Sequence, residues 1–331
     1  MFELGEKVDM RKPYATRLRE LAKEYDIFLL DADLGKSAYS DDFKKEFPDR
    51  YGNCGISESA MQSIAAGLAL AGFRPVTQTF AMFAALRGGE QIRQSACYAA
   101  QYTDIPIVYV GLHGGIWTGE DGVSHQATED IALMRAIPHI SVYAPSDANE
   151  VVGILEPLIK HNKPVYLRLV RGGIPIIFDK ETMEKYPFGL GKSQRLREHE
   201  DPELTLMSYG ATMHKTLEAY KRLKDLGINC NVVNMSSIKP FDKEAVIRAA
   251  IYSNAIVVIE DHQKNGGLSQ GIAGHLSEIY PTHVKAIALD DTFAESGGQE
   301  ALYKKYGLDG ETIAETSRKF LESVKTVSGK K

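Results

Sequence analysis

Residues 106–126, PIVYVGLHGGIWTGEDGVSHQ, decide the fold class. The opening PIVYVGL is a short apolar run of the kind that forms a strand buried on both faces. The rest is a glycine-rich polar loop that begins at His113, carries Glu120 and Asp121, and ends at His125 and Gln126. Four runs of the same type surround it: IFLLDAD (27–33), RPVTQTF (74–80), HISVYAP (139–145) and PVYLRLV (164–170). Between them lie three stretches with helical spacing, 57–72, 81–101 and 146–162. Ser57 can cap the first and Gly72 ends it, while Ser146 or Asp147 can cap the third. Alternating buried strands and helices predict an α/β fold with a mainly parallel sheet wound on both faces.

The alternation falters over the charged, Gly- and Pro-containing segment 179–202 and then resumes. ELTLMSYG, GINCNVVNM, AIVVIEDH and VKAIALD read as strands of a second, smaller α/β domain. The organisation expected is therefore a first domain over 1–178, a linker over 179–202 and a second domain over 203–331. A length of 331 residues suits two domain cores. Lys and Arg number 39 against 44 Asp and Glu and are scattered, so no electrostatic footprint for nucleic acid or an anionic membrane is present. Cys54, Cys97 and Cys230 are too dispersed for a metal knuckle and too few for a disulfide framework, as expected of reduced thiols in a cytoplasmic protein. The first residues lack the apolar core of a signal peptide, and no apolar run approaches the ~20 residues that span a bilayer.

Ligands of open α/β sheets bind beyond the carboxyl ends of the strands. Asp33, Gly35, Lys36 and Ser37 follow the first run, Phe80 the second, His113 and its loop the third, and Arg171 the last. One crevice could gather them. Zinc would require ligands at short spacing on a rigid element, which a glycine-rich loop between His113 and His125 does not provide. A Walker-type phosphate loop is excluded, because GEDG lacks a following Gly-Lys-Ser/Thr and places acids where phosphate would be repelled. A ligand loop and a solvated turn both remain open. Glu58 begins an otherwise apolar helix, where it can serve the helix N-terminus or hydrogen-bond a cofactor ring. Phe80 and Phe83 have the spacing of core residues.

Taken together, YGNCGISESAMQSIAAGLALAG, TFAMFAA, the block from His113 to Glu150 and YLRLVRGGIP resemble the pyrimidine-binding and C-terminal domains of transketolase, from about Arg11 onward. The resemblance implies two doubly wound domains: a thiamine-pyrimidine-binding domain, then a smaller α/β transketolase C-terminal domain. Glu58 matches the family glutamate that hydrogen-bonds N1′ of the thiamine pyrimidine, a contact that favours the imino tautomer able to take the thiazolium proton. The carboxyl must then be protonated or share a strong hydrogen bond. Phe80 and Phe83 match the aromatic wall of that pyrimidine, and the third wall position falls at Leu86. His125 matches a histidine beside the donor sugar's reacting hydroxyls, so Glu58 and His125 are the implied catalytic residues. His113 matches a histidine near the phosphate end of the substrate, and Asp121 an aspartate that selects a sugar hydroxyl. Arg171 and Ser37 match phosphate contacts, with Arg11 a third that requires a one-residue shift in alignment. The opening loop, on this basis, reads a sugar and holds no metal.

Transketolases also bind the diphosphate of thiamine through magnesium, on a Gly-Asp-Gly followed downstream by Asn. No such pattern occurs in this sequence. The resemblance thus implies the C-terminal subunit of a split enzyme. An N-terminal-type partner would supply the Mg2+ and diphosphate site, most simply in an α2β2 assembly. The reaction implied is transfer of a two-carbon ketol unit from a ketose phosphate such as xylulose 5-phosphate to an aldose phosphate such as ribose 5-phosphate. The rival readings are the β chain of a 2-oxo acid dehydrogenase, a deoxyxylulose-phosphate synthase fragment and a non-catalytic scaffold. His262, in EDHQKNGGLSQG, looks site-like but is better explained as a turn packing domain on domain. Dimer contacts are the expected use of the C-terminal domain.

Overall fold

The computed structural model describes residues 1–328. Each expected strand of the first half forms, because each is an apolar run covered on both sides. Seven strands make one sheet in the order Ser237–Lys239, Ser141–Tyr143, Val165–Arg168, Val108–Leu112, Arg74–Phe80, Ile27–Asp31, Tyr51–Asn53. All neighbours are parallel except the outermost pair of Ser237–Lys239 with Ser141–Tyr143. Side chains alternate between two core layers, as the two-residue period of a strand requires. Val108, Val110 and Leu112 join one layer with Leu18, Val151 and Ile154 of the helices Arg11–Leu21 and Ala148–Lys160. Tyr109 and Tyr166 join the other with Met61 and Ala65 of the helix Glu58–Leu70. Helices therefore cover both faces, as a doubly wound sheet demands.

The second sheet has five strands in the order Val284–Leu289, Ala255–Gln263, Leu204–Ser208, Cys230–Asn234, Gln194–Arg197, with only the last antiparallel. Part of the segment expected as a linker is thus an edge strand, and the helix Lys180–Lys185 occupies another part. The short strand Ser237–Lys239, from the second half of the chain, closes one edge of the first sheet. A two-stranded ribbon, Lys7–Asp9 with Gly173–Pro175, brings the start of the chain beside Arg171.

Two further local expectations resolve. The stretch 81–101 is a helix broken at Arg87 and Gly88: Ala81–Leu86 ends before them, and Gly89–Gln91 resumes and runs into a π-helical turn, Ile92–Cys97. A Cβ on Gly88 would come within 2.9 Å of the Ala84 carbonyl. Ser57 occupies the N-cap position of its helix without a capping side-chain bond, and Gly72, at φ +98°, ends it.

At the third helix Asp147 is the cap. Its Oδ1 accepts from Glu150 N at 2.8 Å, and its Oδ2 accepts from Ile177 N at 2.7 Å and Phe178 N at 2.9 Å. One buried carboxylate thereby starts a core helix and anchors the chain as it leaves the first domain. Asp147→Ala is expected to lower unfolding free energy by about 2–4 kcal/mol, since it removes a cap and strands buried N–H groups. Chemical denaturation of the two proteins measures it, and a loss below about 0.5 kcal/mol contradicts this account of the anchor.

Candidate active site

Four adjacent strands of the first sheet, Ile27–Asp31, Arg74–Phe80, Val108–Leu112 and Val165–Arg168, end side by side. Arg11, Ser37, Phe80, His113, Asp121, His125 and Arg171 line one open cleft of ≈ 320 Å³ at these ends. Of the residues expected in one crevice, Ser37, Phe80, His113 and Arg171 share it, whereas Asp33, Gly35 and Lys36 line a separate pocket that meets it only at Ser37. The volume of the cleft is at the small end for ligand pockets, which run from roughly 300 to 1,000 Å³.

Backbone geometry aims the first loop. His113 has φ +63°, in the left-handed region that a non-glycine residue enters only under constraint. The Thr118 hydroxyl donates to the His113 carbonyl at 2.7 Å, and Gly114 N donates to Leu169 O at 2.9 Å. The segment carrying Ser37 is held from below by buried Asp31, which accepts from Leu34 N and from the Ser40 hydroxyl at 2.5 Å each.

Arg11 links the two segments. Its Nη1 donates to Ser37 O at 3.0 Å and lies 2.9 Å from His113 Nε2, while Nε and Nη2 are taken by Asp9. Of its five N–H groups a single one stays uncommitted. A guanidinium only donates, so His113 Nε2 must accept and the proton of the neutral ring sits on Nδ1. Burial, joined by the charges of Arg11 and Arg171, pushes the His113 pKa down to about 3. Burial alone would raise the Asp9 pKa, but Arg11 more than offsets it and holds that carboxyl below its usual value. On the opposite wall Arg171 is ion-paired with Asp121.

The rings form a continuous surface. Phe80 lies 4.4 Å from the His113 ring and 5.2 Å from His125 between centroids; Phe83 lies 5.3 Å from His125 and 5.8 Å from Phe80. The Ser124 hydroxyl meets His125 Nδ1 at 2.9 Å. Beyond Phe83 the surface ends at Glu58, 4% exposed, whose contacts are long: the Thr79 hydroxyl at 3.5 Å and Arg87 Nη1 at 3.6 Å. A buried carboxyl with only long contacts has capacity left for a ring nitrogen such as that of a pyrimidine, donating to it when protonated and accepting from it when the ring nitrogen carries the proton.

Some participants were not foreseen. Leu86, at the third wall position, is 50% exposed, whereas its neighbour Arg87 stacks over Phe83 at 4.1 Å and pairs with Glu58. Asp9, the anchor of Arg11, sits on a three-residue strand without any periodic signal. His262 stands apart from the cleft: fully buried, it accepts from Ala132 N at 3.2 Å on Nε2 and meets Gln263 O at 2.6 Å through Nδ1, so it joins the two domains.

The environment of His113 sets its titration. Its ring is expected to stay neutral, protonated at Nδ1, across the interval from about pH 5 to pH 8 in which an ordinary histidine titrates. Because the folded pKa is lowered, the unfolded chain takes up this proton first, so the contribution of His113 to stability declines as pH falls below the ordinary histidine value. Arg11→Met should move the titration upward. Imidazole nitrogen chemical shifts followed by NMR report both, and protonation of wild-type His113 within that interval refutes the assignment.

Comparison with known proteins agrees with this geometry. The family model for the pyrimidine-binding domain of transketolase matches residues 6–175, and that for the transketolase C-terminal domain matches 191–313. A Methanocaldococcus jannaschii protein, provisionally described as a transketolase C-terminal section, is 38% identical over 96% of this chain and 96% of its own length. One of the subunits of an apulose-4-phosphate transketolase from Phocaeicola vulgatus is 33% identical over 94% of this chain and 97% of its own. A solved structure described as a split gene transketolase, inactive beta4 tetramer, superposes with a TM-score of 0.83 at 37% identity, covering 95% of this chain and 98% of that one. The chain therefore belongs to the transketolase family, of which it carries the pyrimidine-binding and C-terminal domains.

Proposed function

We propose that this chain is the C-terminal subunit of a split, thiamine diphosphate-dependent transketolase. With a partner N-terminal subunit that carries the diphosphate and Mg2+ site, it would transfer a two-carbon ketol unit from a ketose phosphate to an aldose phosphate. The observation that carries the reading is the unbroken run from buried Glu58, across Phe83, Phe80 and His125, to His113, Asp121 and Arg171. A cofactor-sized aromatic wall and a polyol-sized polar cleft share one edge there.

Thiamine diphosphate, when bound, supplies the electron sink for C–C cleavage. The chain's own residues bind and orient. Glu58 hydrogen-bonds the pyrimidine nitrogen, with Phe80 and Phe83 as the ring wall. His125, half-buried against both rings, moves a proton at the sugar hydroxyl nearest the bond that breaks. His113, neutral through burial and with Nε2 held by Arg11, lines the sugar side of the cleft without adding charge. Arg171 takes the phosphate, for which its planar fork is suited, and Asp121 is then free to accept a sugar hydroxyl. Arg11, with its donors committed, chiefly orients His113 and the Ser37 segment.

Support for the partner comes from three directions. Relatives that this chain covers over 96% and 97% of their own length are described as a transketolase C-terminal section and a transketolase subunit. Ile56, Leu86 and Val123, each close in sequence to a proposed site residue, are large apolar side chains exposed at 77%, 50% and 46%. Exposed apolar side chains beside the site segments are available for a partner subunit to cover. The similar beta4 assembly is, by its description, inactive. An α2β2 complex in the cytoplasm is the assembly proposed, and no helix among the described residues is long and apolar enough to cross a membrane.

The test isolates the native chain with whatever co-purifies. Both the eluate and the chain alone are assayed with thiamine diphosphate, Mg2+, xylulose 5-phosphate and ribose 5-phosphate. Sedoheptulose 7-phosphate from the mixture alone is expected; consumption of pyruvate instead, or transfer by the chain alone, overturns the reading. In the active mixture Glu58→Ala should lower kcat by about a hundredfold or more. Arg171→Met should raise the KM for ribose 5-phosphate by about 10–100-fold, the worth of a charged hydrogen bond.

A further inference from the structure

Every residue lining the cleft precedes position 178, yet the wall behind it is built by the C-terminal domain. Residues 295–299 run along the back of the sugar loop. The Gln126 amide donates to Glu295 O at 3.1 Å, and Gly297 N reaches Gly119 O at 3.5 Å. Gln299, the first residue of the helix Gln299–Lys305, goes furthest. Its amide nitrogen donates to Trp117 O at 2.8 Å, inside the loop, and to Arg171 O at 3.1 Å, in the segment after the strand Val165–Arg168.

Both N–H groups of one amide are thereby engaged, and because both partners are carbonyl oxygens the nitrogen must face them. A Cβ on Gly172, whose φ is +87°, would stand 2.7 Å from that nitrogen, so the approach depends on glycine there. Gly172 N in turn donates to Asp9, the anchor of Arg11, at 3.3 Å. One side chain from the C-terminal domain therefore ties together the segment bearing Asp121 and the segment bearing Arg171.

We propose that Gln299 is a positioning residue of the substrate cleft. By holding the Trp117 and Arg171 carbonyls on one amide, it fixes the spacing between the sugar loop and the phosphate-binding arginine. This gives the C-terminal domain a part in the site itself. The effect on phosphate recognition rests on the transketolase reading, whereas the clamp on the backbone does not.

Two variants test it. Gln299→Met keeps length and loses both donors. Gln299→Glu turns acceptors toward two carbonyls, yet a glutamate suits the first turn of a helix, so loss of loop order in it does not come from a weakened helix. In the chain alone, both variants should speed backbone amide exchange over residues 114–126 and 171–173 by about tenfold or more, the loss of two hydrogen bonds. Melting temperature should fall by no more than about 2–4 °C, and exchange in the second sheet should rise less than in the loop. Unchanged loop exchange, or an equal rise over the whole chain with a larger fall in melting temperature, overturns the clamp. In the active complex, KM for ribose 5-phosphate should rise several-fold with kcat kept and KM for unphosphorylated glycolaldehyde unaltered. Equal losses on both acceptors overturn the positioning role. If the wild-type complex transfers nothing, the functional reading fails while the exchange measurement still decides the clamp.

Discussion

The cleft depends on a guanidinium that never sees solvent. Arg168, at the end of its strand and 1% exposed, donates from Nε to Asp130 at 3.0 Å and from Nη1 to Asp261 at 2.9 Å. Its Nη2 reaches the carbonyls of Ala127 at 2.9 Å and Asp261 at 3.2 Å. Burial opposes the charge, but the two carboxylates more than offset it and hold Arg168 protonated well above its ordinary value. Tyr166 donates to Asp130 at 2.8 Å and Tyr303 to Asp261 at 3.1 Å, which shares out the remaining negative charge. Isolating one ion of such a group typically costs about 3–5 kcal/mol, so the members stay or fail together. Asp130 belongs to the first domain and Asp261 to the second, which makes this ion cluster the pin between them.

The pin explains the shape of the glycine-rich loop from His113 to Gln126. Gly115, at φ +75°, passes so close to Asp261 that a Cβ would stand 1.8 Å from its carboxylate, and one on Gly114 would stand 2.6 Å from Arg168. Loop backbone lies directly on buried ions. Gly115 N donates to Ala127 O at 2.9 Å, a carbonyl that Arg168 also holds, so the two ends of the loop are stitched beside the cluster. Gly114 and Gly115 are required because a side chain at either would collide with the pin, while Gly119 and Gly122 face the segment 296–299 instead. His113 sits at the start of this stitched loop, which is why its left-handed backbone can be sustained.

Much of this was legible in the sequence, for a physical reason. A strand buried on both faces has to be an apolar run, and the group just beyond its carboxyl end has to be what the sheet presents to a ligand. That placed Phe80, His113 and Arg171 together without any knowledge of pairing. The short strands Lys7–Asp9, Tyr51–Asn53, Gly173–Pro175, Gln194–Arg197 and Ser237–Lys239 escaped, since three or four residues carry no period and form only because an edge is waiting for them. Arg87 was hidden by Leu86, the position that family likeness singled out. Gln299 could not be read at all, because its partner Trp117 is 182 residues away and an amide bonding to carbonyls leaves no pattern in either segment. His262 drew attention in a motif whose consequential member is its neighbour Asp261.

Charge compensation within the chain completes the argument. Arg11 is matched by Asp9, Arg171 by Asp121 and Glu58 by Arg87, while His113 is kept neutral. Glu58, the most buried of these ions, would be costly to leave unpaired, whereas Arg171 and Arg87, at 37% and 54% exposed, gain orientation more than stability from their partners. Pairing each ion locally removes that cost and leaves the groups already oriented. An anion reaching Arg171 would exchange for the Asp121 carboxylate, so the arginine is already oriented toward a negative group. The polar surface is thus preorganised by these pairs, with the pin of Arg168 beneath keeping the walls in register.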